Sequence, residues 1–301
     1  MKKYLLILLS VLTIFSCKDK TQTNGKINVV TTTSMITDLV KNIGGTHINL
    51  QGLMGSGVDP HLYKASEGDV NKLANADIIF YNGLHLEGKL VEVFEKMKNK
   101  NTIAIGEALD KSTLIGSDYF ASNYDPHIWF NINYWIQATQ FVSQKLSDAI
   151  PEQKNYFQAN GANYIKQLEN LKTKIISTIE TLPKEQRILV TAHDAFNYFG
   201  KTFNFEVVGL QGLSTATEAG VQDVQKLSEF IIKKKVKAIF IESSVPKRTI
   251  EALQAAVNSK GHHVIIGGSL YSDALGNAGT KEGTYIGMFE YNVNTIVNAL
   301  K

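Results

Sequence analysis

Three histidines and one aspartate stand out by residue type and by position. His61 closes Val58-Asp59-Pro60-His61 and His127 closes Tyr124-Asp125-Pro126-His127, so Asp-Pro-His occurs twice, 66 positions apart. The chain holds only five prolines, and two of them precede these histidines. Proline fixes its own φ and presses the preceding Asp toward an extended conformation, so each imidazole leaves a stiff turn in a defined direction. His193 lies in Ile188-Leu189-Val190-Thr191-Ala192-His193-Asp194-Ala195-Phe196, where an apolar strand pattern stops and a helical one starts. Asp273 lies in Leu270-Tyr271-Ser272-Asp273-Ala274-Leu275-Gly276. Three imidazoles and a carboxylate suit zinc, and also serve manganese or iron. A single histidine near a strand end is more often a structural hydrogen-bonder, so the metal expectation rests on the four together. No Cys-x-x-Cys or His-Glu-x-x-His pattern points to other zinc chemistry.

These residues need elements to position them. Continuous β-branched and apolar runs cover Ile27 to Thr33, Ile48 to Met54, Asp77 to Tyr81, Thr102 to Ile105, Arg187 to Thr191, Phe205 to Leu210, Val236 to Ile241 and His263 to Ile266. Continuous rather than alternating runs, separated by helical patterns, predict strands of parallel sheets covered on both faces. The four early strands and four late ones flank a stretch without strand signal. There Tyr164, Leu168, Leu171, Ile175, Ile179 and Leu182 recur at the period of one helix face, with Pro151 at the start and Pro183 as a stop. The fold class expected is α/β: two (βα)4-type lobes with four-stranded parallel sheets joined by one long backbone helix over 152–181, weakened only by Gly161. The alternative is one large doubly wound sheet carrying a long surface helix. Ligands of open α/β sheets bind outside the carboxyl ends of strands, where His193 and Asp273 stand, so a cleft between lobes could close over all four residues.

Composition bounds the function class. With 301 residues, 44% hydrophobic, and 31 Lys+Arg against 28 Asp+Glu, the chain has the core of a two-domain globular protein and lacks the basic excess of a nucleic-acid binder. Its single cysteine excludes an internal disulfide and a multi-cysteine zinc site. Lys2 and Lys3 precede an apolar run from Tyr4 to Phe15, the layout of a secretory signal too short to span a membrane. Leu12-Thr13-Ile14-Phe15-Ser16-Cys17 resembles a bacterial lipobox, apart from Phe15 at a position that is usually small. That resemblance implies a signal peptide over 1–16 and acylation of Cys17 ahead of a polar tether over 17–26. The anchored body would then lie outside the cytoplasmic membrane.

From about Ile27 to Leu300 the chain resembles the TroA-like metal-binding lipoproteins, the solute receptors of bacterial zinc and manganese ABC importers. The carrying segments are Val58 to His61, Ala76 to Leu84, Asp125 to Trp129, Thr191 to Phe199, Ile239 to Ser244 and Leu270 to Gly276. The resemblance implies an N-terminal lobe over 27–150, a linking helix over 151–186 and a C-terminal lobe over 187–301. It implies one zinc or manganese ion held by His61, His127, His193 and Asp273, delivered to an ABC permease and its ATPase subunit by a lipid-anchored monomer in the periplasm or at the cell surface. Two departures bear on the metal. The stretch from Pro60 to Asp125 lacks the histidine-rich loop of many zinc-dedicated members, while His193 stands where manganese members carry Glu. The third imidazole favours zinc, with manganese next. Carboxylates expected to orient the rings are Asp59, Asp125, Asp194 and Glu242. Binding to neutral imidazoles predicts loss of affinity below about pH 6.5. His85 is expected to be structural, and His47, His262 and His263 to be solvated. Rival readings are a metal-stabilised surface adhesin, a secreted zinc hydrolase, which would need an open coordination position and a nearby general base, and a vitamin or siderophore receptor, which gives four metal-type ligands no purpose.

Overall fold

A computed structural model describes residues 25–97, 101–117 and 120–301. The expected signal peptide, Cys17 and most of the tether lie outside the described residues. The N-terminal half runs β1 (Asn28–Thr31), α1 (Ser34–Gly44), β2 (Asn49–Gly52), α2 (Glu67–Asn75), β3 (Ile78–Tyr81), α3 (Val91–Lys96), β4 (Asn101–Ala104) and α4 (Ile132–Ala149). Its strands form one parallel sheet in the order β2-β1-β3-β4. Helix starts are locally encoded: Thr33 caps α1, and Ser66 and Asp69 make a reciprocal capping box at α2.

A single long helix, α5 (Lys154–Glu180), follows the short turn at Pro151. At 1.5 Å per residue it spans roughly 40 Å. It buries Phe157, Tyr164, Leu168, Leu171, Ile175 and Ile179, the face the periodicity predicts, against α1, α4 and α9 (Tyr285–Leu300). Gly161 belongs in this helix because α4 passes so close that a Cβ there would sit 3.0 Å from Ser143 Oγ.

The C-terminal half runs β5 (Ile188–His193), α6 (Asn197–Phe203), β6 (Glu206–Gln211), α7 (Val221–Lys234), β7 (Ala238–Glu242), α8 (Arg248–Ser259), β8 (Ile265–Leu270) and α9. Here the expected four-stranded sheet is two parallel hydrogen-bonded pairs, β5-β6 and β7-β8, with β5 beside β7. At the end of β5 the His193 N–H goes to the side chain of Glu242 at 2.9 Å, where a ladder would use backbone. Strand β8 also runs on through Gly267 and Gly268, which carry no strand signal. They suit the site because α9 presses on the strand: a Cβ at Gly267 would sit 2.6 Å from that of Ala299.

The halves are fused rather than merely tethered. One apolar cluster extends from Val29 and Leu39 through Trp135 and Leu168 to Phe196, Phe289 and Leu300. Phe130 stacks on Phe196 with ring centroids 4.3 Å apart. Such close-packed interiors resist deformation, so any closure about α5 is small.

Candidate metal centre

The two Asp-Pro-His turns fold alike. Asp59 Oδ1 accepts the His61 N–H at 2.8 Å and Asp125 Oδ1 accepts the His127 N–H at 2.9 Å, each a side chain closing a turn onto the backbone two residues on. His193 is the last residue of β5, and Asp273 follows β8 by three residues. Gly209 lets β6 pass beside His193, since a Cβ there would lie 2.5 Å from the His193 carbonyl carbon and the Asp194 nitrogen.

These elements converge His61, His127, His193 and Asp273, all buried, so that one donor atom from each lies within 4.8 Å of the others. His61 Nε2 is 3.3 Å from His127 Nε2, and His193 Nε2 is 3.1 Å from Asp273 Oδ2. Asp273 stands 3.6 Å from His127 Nε2 and 3.9 Å from His61 Nε2. Four donors about 2.0–2.2 Å from a tetrahedral zinc would be about 3.3–3.6 Å from one another, and the separations of 3.1, 3.3, 3.6 and 3.9 Å here bracket that range. Apart from the 3.1 Å contact between His193 Nε2 and Asp273 Oδ2, His193 Nε2 and both Asp273 oxygens are buried without a partner outside the cluster. Orphaned polar atoms of this kind are costly unless a ligand satisfies them.

Behind the donors, carboxylates hold two of the rings. Asp125 Oδ1 is 2.7 Å from His127 Nδ1 and Glu242 Oε2 is 2.5 Å from His193 Nδ1, which favours the proton on Nδ1 and leaves Nε2 free to face the centre. Asp59 and Asp194 do not reach a ring: Asp59 holds the His61 backbone and accepts the Thr215 hydroxyl at 2.5 Å, and Asp194 Oδ1 accepts the Gly209 N–H at 2.7 Å. Asp194 turns away because Gly209 opens space beside it for the β5-β6 contact. The C-terminal half props the N-terminal ligands, with Asn197 Nδ2 donating to Asp125 Oδ2 and Tyr198 Oη to the Asp125 carbonyl, both at 3.0 Å. Trp129 Nε1 donates to the Ser272 carbonyl at 2.9 Å, beside Asp273. No local sequence pattern pairs these residues.

The electrostatics separate the rings. Burial lowers the His61 pKa to about 3, with the other imidazoles adding and Asp273 opposing. Burial also works against a charge on His193, but Asp273 and Glu242 outweigh it and hold that imidazole well above its ordinary value. Burial would raise Asp273, yet the imidazoles, His193 foremost, keep its carboxyl below the usual carboxylate range. In the metal-free centre His193 is therefore biased toward its protonated form and His61 toward its neutral form. The remaining histidines are peripheral. His47 is half-buried against Tyr156 with centroids 4.1 Å apart, and His262 Nε2 meets the Val236 carbonyl oxygen at 2.9 Å. Both therefore have structural partners where solvation was expected, whereas His263 and His85 are exposed.

Comparison with known proteins agrees with this chemistry. The chain is 48% identical over 277 residues to the manganese-binding lipoprotein MntA of Bacillus subtilis, covering 92% of this chain and 90% of the relative. It is also 48% identical over 287 residues to the zinc-binding protein TroA of Treponema pallidum, covering 95% and 92%. A more distant relative, at 32% identity over 98% of this chain and 97% of its own, is the metal ABC transporter substrate-binding lipoprotein SsaB of Streptococcus sanguinis. The solved structure of the periplasmic zinc-binding protein TroA from Treponema pallidum superposes with a TM-score of 0.89, covering 92% of this chain and 99% of that one. These relatives carry metal-binding and transport names, which does not favour an adhesin. The model of the family described as ZnuA, zinc-uptake complex component A periplasmic, matches residues 29–299, and the chain belongs to that family of metal-binding substrate-binding proteins.

Proposed function

We propose that this chain is the substrate-binding component of a metal ABC importer, taking one divalent ion between its halves and passing it to a membrane permease driven by an ATPase subunit. The observation that carries this reading is the buried set of His61, His127, His193 and Asp273, whose donor atoms all lie within 4.8 Å of one another. The relatives at equal identity are named for different metals, so the preference among metals has to come from the donors. Three imidazoles and one carboxylate favour zinc over manganese, which prefers oxygen-rich octahedral surroundings.

Capture begins with His61 already neutral and His193 protonated. The incoming dication displaces the His193 proton, and the imidazolium that balanced Asp273 is replaced by metal charge. Four protein donors complete the shell and leave no open position for a water nucleophile, which supports binding without hydrolysis. The fused core favours a small closure, so the ion exchanges without a wide hinge opening. Among the described residues no helix is long and apolar enough to cross a membrane. Attachment through acylated Cys17 would hold the body at the outer face of the cytoplasmic membrane or in the periplasm, and the site is complete within one chain, as a monomer requires.

The test is metal content of the protein isolated from its own host, combined with zinc and manganese competition in vitro. One zinc per chain, displacing manganese and lost on His127→Ala, supports the proposal. Wild-type protein that binds neither ion would overturn it.

A further inference from the structure

Beside the centre lies a second cavity of about 150 Å³, lined by His61, His85, Gly88, Phe120, Ser214 and Ala216 among others. It runs from a buried donor toward the surface, because it is lined by both His61, whose side chain is 2% exposed where that of Asp273 is 0%, and the exposed His85. We propose that this cavity is the port through which the metal reaches the centre, with His85 as a transient outer ligand for a divalent transition ion. This rests on the importer reading above.

The backbone delivers His85 there by an unusual route. Gly83, Leu84 and His85 have φ of 76°, 52° and 62°, three consecutive left-handed residues of which only the first is glycine. Such conformations persist only where the surroundings enforce them, and they concentrate at functional sites. Enforcement comes from Glu87, whose buried carboxylate accepts the Asn82 N–H at 2.7 Å, the Gly83 N–H at 3.2 Å and the Thr32 hydroxyl at 2.6 Å. Asn82 Nδ2 in turn donates to the Pro126 carbonyl at 3.0 Å, tying the loop to the turn of His127. The imidazole then lies over Gly88, where a Cβ would come within 3.0 Å of its Nε2, and edge-on to Phe120 with centroids 6.1 Å apart.

The facing wall comes from the other half. Ser214 and Ala216 flank Thr215, whose hydroxyl latches to Asp59 two residues before His61. Among the described residues no carboxylate lines the cavity, and the exposed Lys89 at its edge opposes accumulation of cations. His85 therefore offers a brief hold and not a second storage site.

The proposal is tested by stopped-flow zinc association and chelator-driven release, read by the fluorescence of Trp129, whose ring lies 5.3 Å from that of His127. In His85→Ala, both rates should fall by a similar factor, at least about threefold, while the equilibrium affinity, set by the end states, moves far less. Ala216→Phe, an exposed position on the opposite wall, should slow both rates by narrowing the port. Unchanged rates in both variants, with the wild type binding normally, overturn the port and leave the importer reading intact. Affinity lost in His85→Ala with an unchanged association rate also overturns it, by making His85 a resident ligand. Failure of the wild type to bind zinc overturns the importer reading instead.

Discussion

Glu242→Gln isolates the contribution of a residue that never touches the metal. In the native chain both carboxylate oxygens serve His193: Oε1 takes its backbone N–H at 2.9 Å and Oε2 its ring Nδ1–H at 2.5 Å, with both side chains fully buried. Glutamine has one acceptor oxygen, so whichever way the amide turns, its NH2 faces a donor. Either the backbone N–H is orphaned or the ring loses the partner that holds its proton on Nδ1. Losing the ring partner of a metal-ligating histidine typically costs 10–100-fold in affinity, about 1.4–2.7 kcal/mol. The orphaned donor should also lower the stability of the metal-free protein by about 1–3 kcal/mol. A second signature follows from charge. Glu242 helps hold His193 protonated, so its neutralisation should move the pH dependence of binding toward acid even as affinity at neutral pH falls. The assay is zinc competition against a chromophoric chelator across a pH series, with circular dichroism to confirm folding. A loss below about threefold with an unmoved pH profile would refute the argument, because a bystander glutamate predicts that result.

Two further outcomes follow from the geometry. Because the His193 pKa is raised, that ring still carries its proton where a free imidazole has lost it; metal affinity should therefore rise with pH through neutrality, and on acidification its loss should set in while the pH is still above about 6.5. His61, held down to about 3, contributes no proton over that range, and calorimetry in buffers of different ionisation enthalpy should show His193→Ala reducing the proton release at neutral pH. Gly209→Ala drives a Cβ into the backbone of His193 and Asp194; it should cost about 1–3 kcal/mol and weaken zinc binding together, and an unchanged melting temperature would count against the close contact.

What the sequence could disclose was set by interactions that act over a few residues. The turns that aim His61 and His127 are legible because proline and the Asx bond both operate within three positions. The long helix is legible because its buried face repeats every turn, and the strands because they are covered on both sides. The runs around Gly267 were harder to read: glycine carries no strand preference, and its reason for being there is a helix 32 residues further on.

The centre itself was only partly of this kind. Residue types at strand ends nominate His193 and Asp273, but nothing local distinguishes the equivalent aspartates of the two Asp-Pro-His turns. Asp125 reaches its histidine ring because Asn197 and Tyr198 arrive from the other half to hold it, whereas Asp59 is drawn to Thr215. Glu242 meets His193 across 49 residues, and the resulting field, not imidazole chemistry alone, decides which ring carries the proton. Short-range sterics and periodicity thus determined the elements and the donor types from sequence. Which carboxylate orients which ring, how the C-terminal strands divide into pairs and where the site's proton resides were decided by tertiary structure, because they depend on distances between segments that no local pattern encodes.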